Sequence, residues 1–254
     1  WMSGSSLSAE IPKLEHPEIS NAKISKDGDH LQGYMHLEPD GEHIYFQSSG
    51  LRGLYDENID KQTSVVLLHG KKYSSQTWNQ NRTLQYLLKH KYGNIAFDMP
   101  GYGNSSGKPH NFDTGTIDWI LQCLHKLELT QNIVLVMPSM AGLYGLKWMF
   151  DAEYCSYLSG VIAIAPAFCD AHDGELYKHV TIPTYLVYGE NDETGLHHIS
   201  NEYLKSIPNV KEYIMEGAPH ACYLKSHAKQ FHTKLLEILN ELEPKTQNEC
   251  LSEE

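Results

Sequence analysis

The fold of this chain is decided by the stretch Asn132-Ile133-Val134-Leu135-Val136-Met137-Pro138-Ser139-Met140-Ala141-Gly142-Leu143. Its first half is an apolar, β-branched run, too short to span a membrane, that predicts a strand buried on both faces. Residues 140 to about 153 have the composition of a helix. No residues remain for a loop between the two elements, so Ser139 should lie at the apex of a sharp strand-to-helix turn. This is the geometry of a nucleophile elbow.

A serine at such a turn has its hydroxyl lifted clear of its own backbone. The amide of Met140 stays free at the start of the helix, where it can meet a developing oxyanion. The usual pattern is G-x-S-x-G, because strand and helix approach closely there, and this chain has Met137 and Ala141 in the two glycine places. Ala141 is small enough, whereas Met137 is large. Taken alone, the stretch is equally compatible with a buried strand followed by a serine that caps a helix.

The chain has 254 residues, 41% of them hydrophobic, which suffices for one large core. We predict an α/β domain over residues 26–243, a flexible segment over 1–25 and an acidic flexible tail over 244–254. The formal net charge of -12 opposes binding to nucleic acid or to an anionic membrane surface. We therefore expect neither as a partner.

Five cysteines without paired spacing predict free thiols in a reducing compartment, the cytoplasm or the nucleus. Two N-x-S/T triplets, at Asn81 and Asn104, point weakly toward secretion. The N-terminus has no signal-peptide core, and the earlier removal of an N-terminal anchor is left open as an alternative.

The apolar residues first recur with the two-residue period of strands, and later segments alternate between patterns typical of strands and of helices. A hairpin comes first, with alternating segments at 31–37 and 43–47 joined by Glu38-Pro39-Asp40-Gly41. The later alternation favours a mostly parallel sheet covered by helices on both faces. The other predicted strands lie at 64–70, 94–98, 132–138, 161–165, 184–188 and 212–215. The predicted helices lie at about 78–88, 117–127, 140–153, 197–207 and 231–242.

Polar residues follow several predicted strands, at the edge of the sheet where such folds bind ligands. The strand at 64–70 ends in His69-Gly70, and the backbone of Lys71 is placed to supply a second oxyanion donor. The next strand leads into Asp98-Met99-Pro100-Gly101-Tyr102-Gly103, which lacks the spacing of a phosphate loop and is better explained as a sharp turn. Two later strands lead to Asp192 and to His220.

Ser139, Asp192 and His220 follow the chain order of a hydrolase triad on this architecture. In that mechanism His220 takes the proton of Ser139 as the hydroxyl attacks a carbonyl, and Asp192 fixes the imidazole tautomer and stabilises the imidazolium. Glu190 is the alternative orienting acid. Cys222 is an alternative nucleophile, although a buried structural thiol explains it better. No H-E-x-x-H sequence occurs, and we predict no metal site.

Six stretches in order carry a family resemblance: SVVLLHG, SSQTW, AFDMPGYGNS, PSMAGLYGL, LVYGENDETG and GAPHACYL. Over residues 64–242 the chain resembles the α/β-hydrolase fold, and more closely the α/β-hydrolase domain-containing protein 14 family, whose elbow also lacks the first glycine. That family has a small serine where this chain has Met137. The resemblance assigns the nucleophile to Ser139, the acid to Asp192 and the base to His220.

The resemblance implies a hydrolase without a lid that acts on small acyl groups, requires no cofactor and is associated with removing acetyl from lysine and passing it to coenzyme A. Hydrolysis by water is the default, and coenzyme A is the alternative acceptor. Only residues 168–182 separate the two strands between which a cap domain would be inserted, which agrees with a missing lid. Lys71 and Lys72 are placed to meet the phosphates of coenzyme A, and Lys72 is the candidate contact. The alternative is a non-catalytic protein-binding module that kept the fold, favoured if Met137 displaces the elbow.

Overall fold

A computed structural model describes residues 18–25, 30–51, 59 and 61–244 of the chain. The strands are β1 (Ser20–Ile24), β2 (Leu31–His36), β3 (His43–Ser48), β4 (Ser64–Leu67), β5 (Gly93–Phe97), β6 (Ile133–Pro138), β7 (Leu158–Ile164), β8 (Thr184–Gly189) and β9 (Lys211–Met215). The helices are α1 (Ser75–Gln80), α2 (Thr83–Lys89), α3 (Asp118–Lys126), α4 (Gly142–Phe150), α5 (Gly174–Lys178), α6 (Leu196–Leu204) and α7 (Ala228–Leu242).

All the strands of the described chain join one nine-stranded sheet in the order β1-β2-β3-β5-β4-β6-β7-β8-β9. The first three strands and the β3–β5 pair are antiparallel, and the pairs from β5 through β9 are parallel. Strand β6 lies between β4 and β7, with every residue buried. The predicted antiparallel start followed by a mostly parallel sheet is confirmed.

Two apolar layers cover the sheet, one on each face. Because successive side chains of a strand point to opposite faces, β6 contributes Leu135 and Met137 to one layer and Val134 and Val136 to the other. Helices α3, α4 and α6 supply the first layer, and α1, α2 and α7 supply the second. The central strand is therefore covered on both sides, as its unbroken apolar run predicts.

Strand β1 lies within the segment 1–25 that the sequence predicts to be flexible. It pairs with β2, and Ala22 and Ile24 pack against the core. Its alternation, in SNAKI, is too short and too polar to be distinguished from a loop by pattern. Residues 1–17 and 245–254 of the predicted terminal segments lie outside the described residues.

The helix predicted at 78–88 is two helices, α1 and α2. Arg82 between them has a φ of 67°, in the left-handed region, which interrupts the helical path. The Asn81 carboxamide oxygen accepts from the Thr83 amide at 3.1 Å and starts the second helix. Helix α5 was not predicted, because five residues carry too few periods of an apolar pattern to be recognised.

Between β7 and β8 the chain forms only a short 3-10 turn, Cys169–Ala171, and helix α5. Residues 165–183 are all described, and they include no cap domain.

Among the described residues, no helix combines the length and the apolar character needed to cross a membrane. Cysteines 123, 155, 169 and 222 are free thiols.

Candidate active site

The sharp turn predicted after the central strand is present at Ser139. Strand β6 ends at Pro138, Ser139–Ala141 form a 3-10 turn, and α4 begins at Gly142. Ser139 has a φ of 48°, in the left-handed region that non-glycine residues rarely adopt. Such strain persists only where the surrounding structure imposes it, and it is concentrated at functional sites.

Met137 fits beside the turn because the helix opposite it lacks a side chain. Met137 is fully buried, and a Cβ on Gly145 of α4 would lie 2.3 Å from the Met137 sulfur. The close approach that usually requires a glycine on the strand is here allowed by a glycine on the helix. The large residue therefore does not displace the elbow.

Asp192 and His220 form a direct hydrogen bond. His220 Nδ1 donates to Asp192 Oδ2 at 2.7 Å, and Asp192 Oδ1 accepts from the Thr194 amide at 2.8 Å and from the Thr194 hydroxyl at 2.6 Å. The Asp192 side chain is completely buried, whereas His220 is 17% exposed. With Nδ1 donating to a carboxylate, neutral imidazole has its lone pair on Nε2.

Burial by itself would raise the pKa of the Asp192 carboxyl, because it disfavours the charged form. The hydrogen bonds from the Thr194 hydroxyl, from His220 and from the Thr194 amide outweigh burial, and the pKa is lowered. Asp192 is therefore ionised at neutral pH. Thr194 is not among the site residues predicted from the sequence, although an Asp followed two residues later by Thr is a typical Asx turn.

Glu190, the alternative acid, lies in a different contact. Its Oε2 accepts from the Gly217 amide at 2.9 Å, and this bond connects the loop after β8 to the loop after β9. Glu193, which was not predicted as a site residue, accepts from the His220 amide at 3.2 Å. Two carboxylates thus hold the backbone around the imidazole, while Asp192 contacts the imidazole itself.

The loop after β8 and the loop after β9 approach each other at Gly189, the last residue of β8. A Cβ on Gly189 would lie 2.2 Å from the carbonyl oxygens of both Ala218 and Pro219. The Asn191 amide also donates to the Ala218 carbonyl at 2.9 Å. The absence of a side chain at Gly189 lets the loop before His220 pass directly over the strand end and so sets the position of His220.

Ser139 and His220 line the same cavity, which has a volume of about 250 Å³. Lys71, Lys72 and Tyr73 form another part of its wall. Within the described part of the chain no hydrogen bond joins Ser139 to His220. Hydrogen bonds of this kind are often long in unliganded enzymes and shorten when substrate binds.

His69 orients the loop that leads to Lys71. Its Nε2 accepts from the Met99 amide at 3.0 Å and its Nδ1 donates to the Gly70 carbonyl at 2.9 Å, while burial lowers the pKa of the ring. The Tyr73 amide donates to the same carbonyl at 3.0 Å. Because a trans peptide points its N–H opposite to its C=O, holding the Gly70 carbonyl also orients the Lys71 amide.

The loop after β5 is a structural turn, as the sequence indicates. Asp98 is buried, and its carboxylate accepts from the Ser75 amide at 2.6 Å and from the Asn104 amide at 2.7 Å.

Burial raises the pKa of the Cys222 thiol, the alternative nucleophile, to about 12, which keeps it protonated and unreactive at neutral pH. The described residues include no group of three or more His, Cys, Asp or Glu side chains that could hold a metal ion.

The strand order and the elbow after β6 place this chain among the α/β hydrolases. Residues 65–176 match the model of the alpha/beta hydrolase family. A CIB-like hydrolase from Thermoplasma acidophilum superposes with a TM-score of 0.68 over 83% of this chain and 99% of its own, at 21% identity. Esterase RhEst1 from Rhodococcus sp. gives a TM-score of 0.65 over 84% and 99%, at 17% identity. At these low sequence identities, the structural similarity establishes the fold alone.

Within this class, the chain belongs to the α/β-hydrolase domain-containing protein 14 family. It is 38% identical to "Protein ABHD14A" of Rattus norvegicus over 182 residues, 71% of this chain and 73% of the relative. It is 35% identical to "Putative protein-lysine deacylase ABHD14B" of Homo sapiens over 183 residues, 71% of this chain and 84% of the relative. The family resemblance seen in the sequence motifs is thereby confirmed.

Proposed function

We propose that this protein is a serine hydrolase that cleaves small acyl groups from esters or amides through an acyl-enzyme on Ser139. The observation that carries the proposal is the hydrogen bond from His220 to the buried, ionised Asp192, in a cavity that Ser139 also lines. An imidazole held in this way has its basic nitrogen available for a nucleophile's proton. The strained backbone at Ser139 is the second support.

In the first half of the reaction, Ser139 Oγ attacks the substrate carbonyl carbon while His220 Nε2 takes the hydroxyl proton. Asp192 stabilises the imidazolium without itself becoming protonated. His220 then gives the proton to the leaving alcohol or amine as its bond to the acyl carbon breaks, and the acyl group remains as an ester on Ser139. In the second half, water gives a proton to His220 as it attacks the ester carbonyl carbon, and His220 then returns that proton to Ser139 Oγ as the bond between Oγ and the acyl carbon breaks and the acid leaves.

The negative charge that develops on the carbonyl oxygen needs donors that are already oriented. We assign these to the backbone amides of Met140, at the start of the 3-10 turn, and of Lys71, whose peptide is oriented through His69. Neither amide hydrogen bonds to the backbone of another described residue outside its own element. A cavity of about 250 Å³ that includes Ile164 and Leu196 suits an acetyl group or another short acyl chain.

A second candidate function is transfer of the acetyl group from lysine to coenzyme A. The relative whose printed name is a protein-lysine deacylase supports lysine as the leaving group. Lys72 lies in the cavity wall near Ser139, is exposed and has no ion-pair partner among the described residues. An ammonium group in that position can pair with a phosphate of coenzyme A, and a bound thiol reacts faster than water because of its high effective concentration.

Both candidates are tested by Ser139→Ala, with the release of p-nitrophenol from p-nitrophenyl acetate as the first measurement. We expect a loss of roughly 10³-fold or more, with residual rate from the oxyanion donors, and an unchanged melting temperature. Undiminished turnover by the folded variant would rule out Ser139 as nucleophile, whereas no turnover by the unsubstituted protein would favour the non-catalytic binding module. Met137, the sequence feature that favoured this alternative, is accommodated by Gly145.

The acceptor is identified with an acetyl-lysine peptide, supplied with and without coenzyme A, by mass spectrometry of the products. Transfer predicts acetyl-coenzyme A that requires Ser139 and decreases in Lys72→Glu. Free acetate at a rate indifferent to coenzyme A would leave hydrolysis as the function.

A further inference from the structure

A second cavity lies next to the first, and Tyr73 belongs to the walls of both. This second cavity, here called the outer cavity, has a volume of about 510 Å³, twice that of the cavity at Ser139. Its other walls come from the α1–α2 corner and from the segment around Lys225. The proposed reaction, which needs room for a small acyl group and one imidazole, leaves the outer cavity without a role.

The wall between the cavities is held by aromatic packing. Tyr223 stacks on Trp78 with 4.6 Å between ring centroids, and Trp78 Nε1 donates to the Leu68 carbonyl at 2.8 Å. The Tyr73 ring meets Tyr223 edge-on at 6.3 Å. The Asn81 carboxamide donates to the Tyr223 carbonyl at 3.1 Å and ties the α1–α2 corner to this wall. A binding surface built from such packed groups loses little freedom when a ligand binds.

The outer cavity lies beside the segment that follows His220, the residue that protonates the leaving group in the proposed mechanism. In the proposed mechanism His220 Nε2 protonates the leaving amine, so this amine separates from Ser139 beside His220. Leu224 and Lys225, which line the outer cavity, follow His220 by four and five residues along the chain. This adjacency makes the outer cavity the candidate site for the part of a substrate that is not transferred to Ser139.

The charged side chains that line the two cavities are mostly lysines, although the chain as a whole has a formal net charge of -12. Lys71 and Lys72 line the inner cavity and Lys225 lines the outer one. All three are exposed, and none forms an ion pair within the described part of the chain. Glu193 also lines the inner cavity but accepts from the His220 amide, and no carboxylate of a described residue lines the outer cavity.

The neutral groups of the outer cavity suit a peptide backbone. Thr77 and Gln80 line it, and neither side chain hydrogen bonds to another described residue. A hydroxyl and a carboxamide both donate and accept hydrogen bonds, as peptide groups require. Leu224 and Ala228 add apolar surface for side chains.

We propose that the outer cavity binds the peptide that carries the acylated lysine, and that Lys225 selects peptides with an acidic residue near that lysine. This inference rests on the proposed function, because it assigns the leaving group of the same reaction. The acyl group enters the inner cavity and reacts at Ser139. The peptide backbone lies beyond Tyr73, and its acidic residue pairs with the Lys225 ammonium.

The test measures binding rather than turnover, by fluorescence anisotropy with the Ser139→Ala protein. The probes are two labelled acetyl-lysine peptides of equal length, one with two glutamates beside the acetyl-lysine and one with two lysines. We expect the acidic peptide to bind roughly fivefold more tightly or better at low salt, with the preference reduced in high salt because exposed ion pairs are screened. Lys225→Glu in the same protein should abolish or reverse the preference.

The matched control is Lys23→Glu, which changes the net charge equally. Lys23 is exposed on β1, and lines neither cavity. Equal binding of the two peptides, a preference that survives Lys225→Glu, or an equal response to Lys23→Glu would each overturn the inference. Hydrolysis of p-nitrophenyl acetate by the unsubstituted protein tests the proposed function separately. An enzyme that is active but indifferent to peptide charge would contradict the outer-cavity assignment alone.

Discussion

The end of β6 and the end of β8 both bring a functional side chain to the edge of the sheet, but they make room in opposite ways. At β6 the strand residue is large, and the facing position in α4 is Gly145, whose missing Cβ leaves space for Met137. At β8 the strand residue is Gly189, and backbone carbonyls of the loop before His220 fill the space. Close packing is needed at both ends, and either partner can supply the glycine.

The two ends should therefore differ in how they tolerate substitution. Near Gly145 the nearest atom is the end of a flexible methionine side chain, which can change rotamer. Near Gly189 the nearest atoms are two backbone oxygens, which move only with their loop. A substitution at Gly189 should therefore displace the loop that carries His220, whereas a substitution at Gly145 should change only the packing around Met137.

The strongest disruption of the β8 end is expected from Asp192→Asn. The carboxamide keeps the shape but can donate to His220 Nδ1, which favours the wrong imidazole tautomer, and the loss in kcat should be about 10⁴-fold. Glu190→Gln is the matched control, because the Glu190 side chain, among the described residues, hydrogen bonds to the Gly217 amide and not to the imidazole, and the loss in kcat should stay within about tenfold. Both are measured with p-nitrophenyl acetate. Reversed magnitudes would transfer the orienting role to Glu190.

Gly189→Ala should have the next largest effect. Its Cβ would meet the Ala218 and Pro219 carbonyl oxygens, so the loop must shift and move His220, and a displacement of about 1 Å can cost on the order of 10²-fold in rate. Gly174→Ala is the control, since a Cβ there would have no atom of the described residues beyond its own helical turn within 4 Å. Activity of Gly189→Ala equal to that of the control would show that the loop is not held by this approach.

The sequence was sufficient to predict the sheet, the elbow and the strand ends that carry Asp192 and His220, because each rests on a local pattern. Buried apolar runs identify the central strands without knowledge of their neighbours. The contact of His220 with Asp192, by contrast, is made across two loops that lie 28 residues apart along the chain. Sequence order favours Asp192 over Glu190 only weakly, and the hydrogen bonds of Thr194 and Gly217 distinguish them.

The fit of Met137 could not be predicted for a related reason. A motif describes positions close to Ser139, whereas Gly145 lies a turn of helix beyond the motif. Its importance depends on which face of α4 it occupies. Likewise β1 gains its apolar contacts from the core after β2 has paired with it, which its own five residues do not reveal.

The smallest and most specific effect is expected from combining Gly145→Ala with Met137→Ala and measuring the free energy of unfolding in urea. In the natural background, Gly145→Ala gains about 1 kcal/mol of helix propensity but crowds Met137, and overpacking costs about 1 to 3 kcal/mol, so the protein should be destabilised by up to about 2 kcal/mol. In the Met137→Ala background the 2.3 Å clash with the sulfur is gone and only two contacts of 3.2 Å remain, with Leu135 Cδ2 and with the Cβ of residue 137, so the same substitution should stabilise by about 0.5 to 1 kcal/mol. The change of sign is the diagnostic result, because residues in contact are coupled whereas independent residues have additive effects. If Gly145→Ala had the same effect in both backgrounds, the room for Met137 would have to come from elsewhere in the core.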